Sequence, residues 1–169
     1  MKTVAALALV LASASPASTE WLLDEGVAIV EPAETNSTIE LMAVLCGDPF
    51  FVEVYSRGGP VMPEAGDVSA EYFYLPGKVR AVIDGKAFPL AAAGSGAAVV
   101  LFAEGAKADN YLAPVRPEFI EALKSGSAMT LGFDITPANA ADGSPFETFA
   151  MFPLEGARAV LNQALAECR

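Results

Sequence analysis

Ser127-Ala128-Met129-Thr130-Leu131-Gly132-Phe133-Asp134-Ile135 decides the fold. Met129, Leu131, Phe133 and Ile135 are apolar, and the residues between them, Thr130, Gly132 and Asp134, are small or polar. Successive side chains of an extended chain point to opposite faces. Strict alternation therefore predicts a strand with one face in a core and the other, carrying Asp134, in water.

Working outward, the same two-residue period recurs. Phe146 to Phe152 (FETFAMF) reads as a last strand. Ala97 to Ala103 (AAVVLFA) is a continuous apolar run, the mark of a central strand. Lys78 to Ile83 and Lys86 to Leu90 flank Asp84-Gly85, a pair suited to the positive φ angles of a tight hairpin turn. Ser37 to Cys46 places Ile39, Leu41, Ala43 and Leu45 on one face. Phe50 to Ser56 sets Phe50, Val52 and Val54 against Phe51, Glu53 and Tyr55. Glu71 to Leu75 (EYFYL) reads as a short aromatic strand.

Two helices interrupt the strands. Pro117 suits a first helical position, Phe119, Ile120 and Leu123 form a stripe, and Gly126 ends the segment Arg116 to Ser125. The second helix is predicted over Leu154 to Glu167, with Leu154, Ala157, Leu161, Ala164, Leu165 and Cys168 on one inward face. The expected architecture is mainly β: an antiparallel sandwich or barrel of seven to nine strands, with one short internal helix and a C-terminal helix.

The N-terminus reads as a leader. Met1-Lys2 is cationic, Val4 to Leu11 is apolar and too short to span a bilayer, and small residues at Ala14 and Ala17 offer cleavage points. The expected division is a cleaved signal peptide, residues 1–17, and one β-rich domain, residues 18–169, in the periplasm or outside the cell. Trp21 would anchor the new N-terminus. No other stretch is apolar enough for a transmembrane helix, so no membrane anchor is expected.

An oxidising compartment gives meaning to the two cysteines. Cys46 and Cys168 allow one intramolecular pairing, which would staple the last helix to an early strand. Closing a loop of ~120 residues constrains the unfolded chain by roughly 5 kcal/mol in the loop-entropy picture.

Charge and composition narrow the chemistry. Ten Lys and Arg stand against 21 Asp and Glu, a net charge of −11. Such a field repels nucleic acid and favours a basic partner, or else only keeps the domain soluble. The chain has no His. Ser95, in Gly94-Ser95-Gly96, therefore lacks the usual base for a nucleophile and reads as a hairpin turn or a binding loop. Two cysteines without His make no zinc site, and neither metal nor cofactor is expected.

Asp134, Asp142 and Glu147 are the carboxylates that would serve glycoside hydrolysis or supply oxygen ligands to calcium, or they are simply a strand face and a turn. Tyr55, Tyr72 and Tyr74 occupy alternate positions of predicted strands. They would form a binding platform or pack at the core margin. The Gly/Pro-rich stretches Arg57 to Val68 and Pro137 to Pro145 read as loops, and Asn36-Ser37-Thr38 matches a glycosylation acceptor.

From Phe119 to Cys168 the chain resembles small exported bacterial proteins of the invasion-associated locus B and type VI secretion-associated VasI families. The matching residues are Phe152, Pro153, Leu154, Gly156, Ala157, Ala164, Leu165 and Cys168, all structural. The resemblance covers the C-terminal third. It implies a β-sandwich with a terminal helix and supplies no catalytic residue. A second stretch, DGKAFPL followed by AGSGAAVVLFAEG, is similar to the strand-loop-strand core of periplasmic C-type lysozyme inhibitors, small β-barrels with an inserting Ser-Gly loop. Here Ala97-Ala98 replaces the aromatic residue that follows their loop.

Together these readings point to an exported, non-enzymatic binding or accessory protein of the bacterial cell envelope. An inhibitor of a basic hydrolase such as lysozyme is the first alternative, and a carboxylate-dependent hydrolase the second.

Overall fold

The computed structural model describes residues 19–47, 49–57, 73–95, 97–108 and 111–168. The expected leader and most of the loop from Arg57 to Val68 lie outside the described residues.

Among the described residues, eleven strands form one antiparallel, curled sheet. In chain order they are β1 (Leu22–Asp24), β2 (Val27–Val30), β3 (Glu34–Thr35), β4 (Ile39–Cys46), β5 (Phe50–Ser56), β6 (Val79–Ile83), β7 (Lys86–Ser95), β8 (Ala98–Ala108), β9 (Tyr111–Pro114), β10 (Ala128–Asn139) and β11 (Pro145–Pro153). Helix α1 (Pro117–Ser125) lies between β9 and β10, and α2 (Ala157–Ala164) follows β11. The count exceeds the expected seven to nine because β1, β2, β3 and β9 are only two to four residues long. Pieces of that length carry too little alternation to be read.

The neighbour order is β1-β2-β4-β5-β8-β7-β6-β10-β11-β3, with β9 also paired to β8. Only Glu31, Pro32 and Ala33 separate β2 from β3, yet β3 pairs with β11 at the far end of that order. Four residue steps span at most roughly 14 Å, so the ends of the sheet must curl toward each other.

Local chemistry sets the turns. Asp84 and Gly85 take φ 47° and 82°, as the tight β6–β7 hairpin requires. Glu25 and Gly26, at φ 45° and 87°, turn β1 into β2 in the same way. At the β7–β8 hairpin Gly94 has φ 141°, and a Cβ there would meet the Ala98 carbonyl oxygen at 2.6 Å. Only glycine fits that approach.

The core is continuous. Met129, Leu131 and Phe133 of β10 are fully buried, as the alternation requires, and Phe119, Ile120 and Leu123 bury the stripe of α1. Helix α2 buries Ala157, Leu161 and Ala164 against β1, β2 and β4, and α1 packs on α2. Trp21 is buried, and its indole N–H donates to the Pro153 carbonyl at 2.9 Å. That bond ties the first described residues to the end of β11.

Four expectations need correction. Phe73 and Tyr74 form a short 3-10 turn rather than a strand, because Pro76-Gly77 follow at once. Phe73 is buried and meets Phe133 edge to face at 6.4 Å. In β4, a bulge between Ile39 and Leu41 moves Ile39 off the face of Leu41, Ala43 and Leu45. Met42 and Val44 are the residues that turn into the core. Helix α2 ends at Ala164, three residues short of Glu167, so Cys168 sits in the following turn and is half-buried, not on an inward helical face. Asp134 is 7% exposed, not a solvent-facing residue. Lys78 lies beside it and removes it from water.

Candidate functional site

Cys46 and Cys168 form a disulfide, with Cα atoms 5.2 Å apart across a sequence separation of 122. Cys46, the last residue of β4, is exposed. The bridge therefore closes the rim where α2 leaves the sheet instead of lying in the core.

The carboxylates proposed for hydrolysis are only partly gathered. Asp134 and Glu147 face each other in register on β10 and β11. Each has its own cation: Lys78 bonds Asp134 and Arg80 bonds Glu147 at 3.2 Å. Arg80 pairs in register with Gly132. With no side chain there, its guanidinium can cross β10 diagonally to reach β11. The Oδ1 of Asp134 is buried without a hydrogen-bond partner among the described residues. Asp142 stands apart at the hairpin tip, where Ser144 donates to it from both its hydroxyl (2.6 Å) and its amide (3.0 Å). Those bonds hold the Asp142 carboxyl below the usual carboxylate range. Asp134 and Glu147 are thus cross-strand neighbours, each with its own cation, and Asp142 sits in a separate turn.

The tyrosines are likewise divided. Tyr55, on the outward face of β5, donates its hydroxyl to Glu53 two residues back on the same face. That hydrogen bond, with partial burial and the Glu53 charge, pushes the phenol up to about 12. Tyr74 is half-buried in the turn before β6, and Tyr72 lies outside the described residues. The register does bring Tyr55 and Ser95 into one row. Tyr55 pairs with Ala98 of β8, and Ala98 pairs with Ser95 of β7. Two strand spacings, roughly 10 Å, separate their backbones.

Around Tyr55 lies a shallow cleft of about 370 Å³ that the sequence did not disclose. Val27, Ile29, Leu41, Ala43 and Tyr55 line it, and Asp24, Glu25 and Glu40 rim it. Arg57 pairs with Glu40. Farther out, Leu22 is 61% exposed and Phe51 37%. Unbroken apolarity from Leu41 to Leu45 was the available signal. A strand apolar on both faces covers a core with one face and something else with the other.

A second pair of clefts lies between β7 and α1. The larger, about 670 Å³, is lined by Ile83, Lys86, Phe88, Pro117 and Glu118 among others. The smaller, about 280 Å³, reaches Leu90, Ala103, Arg116 and Phe119 and shares Lys86, Phe88 and Glu118 with the larger.

Among the described residues, no group of three or more Cys, Asp or Glu is placed to hold a metal ion. No described helix is long and apolar enough to cross a membrane. Comparison of the chain with protein-family models, with curated proteins and with solved structures returns no match.

Proposed function

We propose that this is an exported, non-catalytic binding protein of the bacterial cell envelope, whose recognition surface is the outward face of β2, β4 and β5. The observation that carries this reading is the cleft around Tyr55: an apolar floor under two carboxylates, Asp24 and Glu25, with Glu40 beside them paired to Arg57. Apolar area supplies affinity, and the carboxylates select a basic partner and speed its approach. The net charge of −11 acts in the same direction. Charge-compensated Asp134 and Glu147 favour binding over hydrolysis. The disulfide fits an oxidising compartment. The three-residue link from β2 to β3 favours a barrel over a sandwich.

A second reading, inhibition of a basic hydrolase, is supported by the row that joins Tyr55 to Ser95. Hen lysozyme serves as the basic probe for both. Binding measured by titration calorimetry should weaken about tenfold or more on raising salt from low to physiological strength, as screened charge contacts do. Charge reversal by Asp24→Lys or Glu40→Lys should abolish it. Lysozyme activity separates the readings: the inhibitor loses potency in Ser95→Ala, whereas a plain binding protein leaves turnover untouched. Retention of neither lysozyme nor any basic protein from an envelope extract would overturn the reading.

A further inference from the structure

We infer that the smaller cleft between β7 and α1 binds an amphipathic monoanion, a carboxylate carried on an apolar or aromatic body. The floor is aromatic. Phe88 and Phe119 meet edge to face with centroids 5.5 Å apart, and Leu90 and Ala103 extend the floor. Phe88 is 9% exposed and Phe119 1%, so the rings are fixed by packing and present a preformed wall.

The charges at this cleft run against those of the rest of the protein. Among the cations whose side chains are described, Arg57, Lys78, Arg80 and Lys124 are each paired to a carboxylate. Lys86, Arg116 and Arg158 are in no ion pair among the described residues, and the first two line this cleft. The Lys86 ammonium rests 4.8 Å from the centroid of the Phe88 ring. The ring engages only N–H turned toward its face, so the remaining donors stay available while the side chain is held over the cleft. Arg116, at the residue before α1, offers a guanidinium fork suited to a carboxylate.

Among the described residues, Glu118 is the one carboxylate on the smaller cleft, exposed in the first turn of α1. Asp84 and Glu121 line only the larger one. Asp84 accepts from the Ser127 and Ala128 amides, and Glu121 is paired with Lys124. The three described charged side chains of the smaller cleft therefore sum to one net positive charge. That selects a monoanion, and the larger cleft continues past Lys86 and Phe88 to take a longer apolar tail.

The test is titration calorimetry of the intact oxidised protein with laurate below its micellar concentration. Acetate supplies the head without the tail, and dodecyltrimethylammonium the tail with the opposite charge. Laurate should bind and both controls should fail. Lys86→Gln and Arg116→Gln should each weaken laurate about tenfold, the size of a lost charge-assisted contact. Glu118→Gln should tighten it. All three residues are exposed, so the variants should keep the parent melting temperature. Dodecyltrimethylammonium binding as tightly as laurate, or laurate affinity unchanged in both cation variants, would overturn the inference. Neither result bears on the basic-partner surface, which lies on other strands.

Discussion

The side-chain amide of Asn36 holds Phe149 as a neighbouring strand would. The Phe149 N–H donates to the Asn36 Oδ1 at 2.7 Å, and the Asn36 Nδ2 donates to the Glu147 carbonyl at 3.2 Å. Next to it, Thr35 donates its hydroxyl to the Phe149 carbonyl. Strand β3 is only two residues long, so without these side chains much of β11 would be a bare sheet edge. Unpaired edges invite another chain to add to the sheet.

Asn36→Ala should therefore cost about 1 kcal/mol, two exposed hydrogen bonds at the low end of their range. The more telling outcome is a shift toward concentration-dependent association, read by light scattering. The same bonds give the Asn36-Ser37-Thr38 acceptor motif a structural role. A glycan on Nδ2 would push the Asn36 side chain off β11. Material glycosylated at Asn36 in a eukaryotic secretory host should melt below the unmodified protein. Equal melting and equal association would show that this edge needs no guard.

Reduction of the Cys46–Cys168 bridge should lower stability by roughly 3 to 5 kcal/mol, because the bridge closes a long loop of the unfolded chain. Cys46 is exposed, so a mild reductant should reach the bond without prior unfolding. A maleimide dye should label no thiol in the native protein and two after reduction. Amide exchange in α2 should then rise first, since the bridge lies just beyond the C-terminal end of that helix. Labelling of both thiols in the untreated folded protein would remove the bridge.

Those parts of the fold whose local chemistry agrees with their final environment were legible. The Asp84-Gly85 hairpin, the buried residues of β10 and the stripe of α1 each follow from a few neighbouring residues. The Cys46–Cys168 pairing followed from counting. Strand order was not legible, because nothing near Glu34-Thr35 says that it will pair with Ala150 and Met151. Nor did alternation say which outward positions another strand covers. It put Asp134 and Thr130 on the same face, yet Thr130 is exposed and Asp134 buried. The difference is Lys78, the residue just before β6. Of the binding residues read from sequence, Tyr55 and Ser95 share a row, while the residues that surround Tyr55 come from β1, β2 and β4 and meet only on folding.

The Lys78–Asp134 pair should matter more than the other three ion pairs, because both of its members are largely buried. Lys78→Met should cost about 2 to 3 kcal/mol, near the lower end for breaking a buried pair, since it leaves a carboxylate without its counter-charge. Arg80→Met, whose guanidinium side chain is 57% exposed, should cost at most about 1 kcal/mol. Asp134→Asn in the Lys78→Met background should recover part of the loss. Denaturant unfolding of the four proteins forms the check, and equal losses for Lys78→Met and Arg80→Met would contradict the burial argument.

Tyr55 gives the protein an alkaline signature. Its hydroxyl donates to the Glu53 carboxylate, and ionising the phenol would both break that bond and set two negative charges side by side. Its ordinary value of 10.0 is thereby raised to about 12. A raised value means that the folded state holds the proton more tightly than the unfolded one. The resulting stabilisation is complete below pH 10, is lost as the pH climbs from 10 toward 12, and is gone above that. Glu53→Ala removes both the acceptor and the charge, so the phenol should fall back toward 10 and the alkaline loss should shrink. Tyr55→Phe should delete the effect along with one late phenolate step in the ultraviolet titration. Because Tyr55 also lines the acidic cleft, the two substitutions separate its roles. Both flatten the alkaline loss, whereas weaker lysozyme retention in Tyr55→Phe at neutral pH would mark the hydroxyl itself as part of the recognition surface.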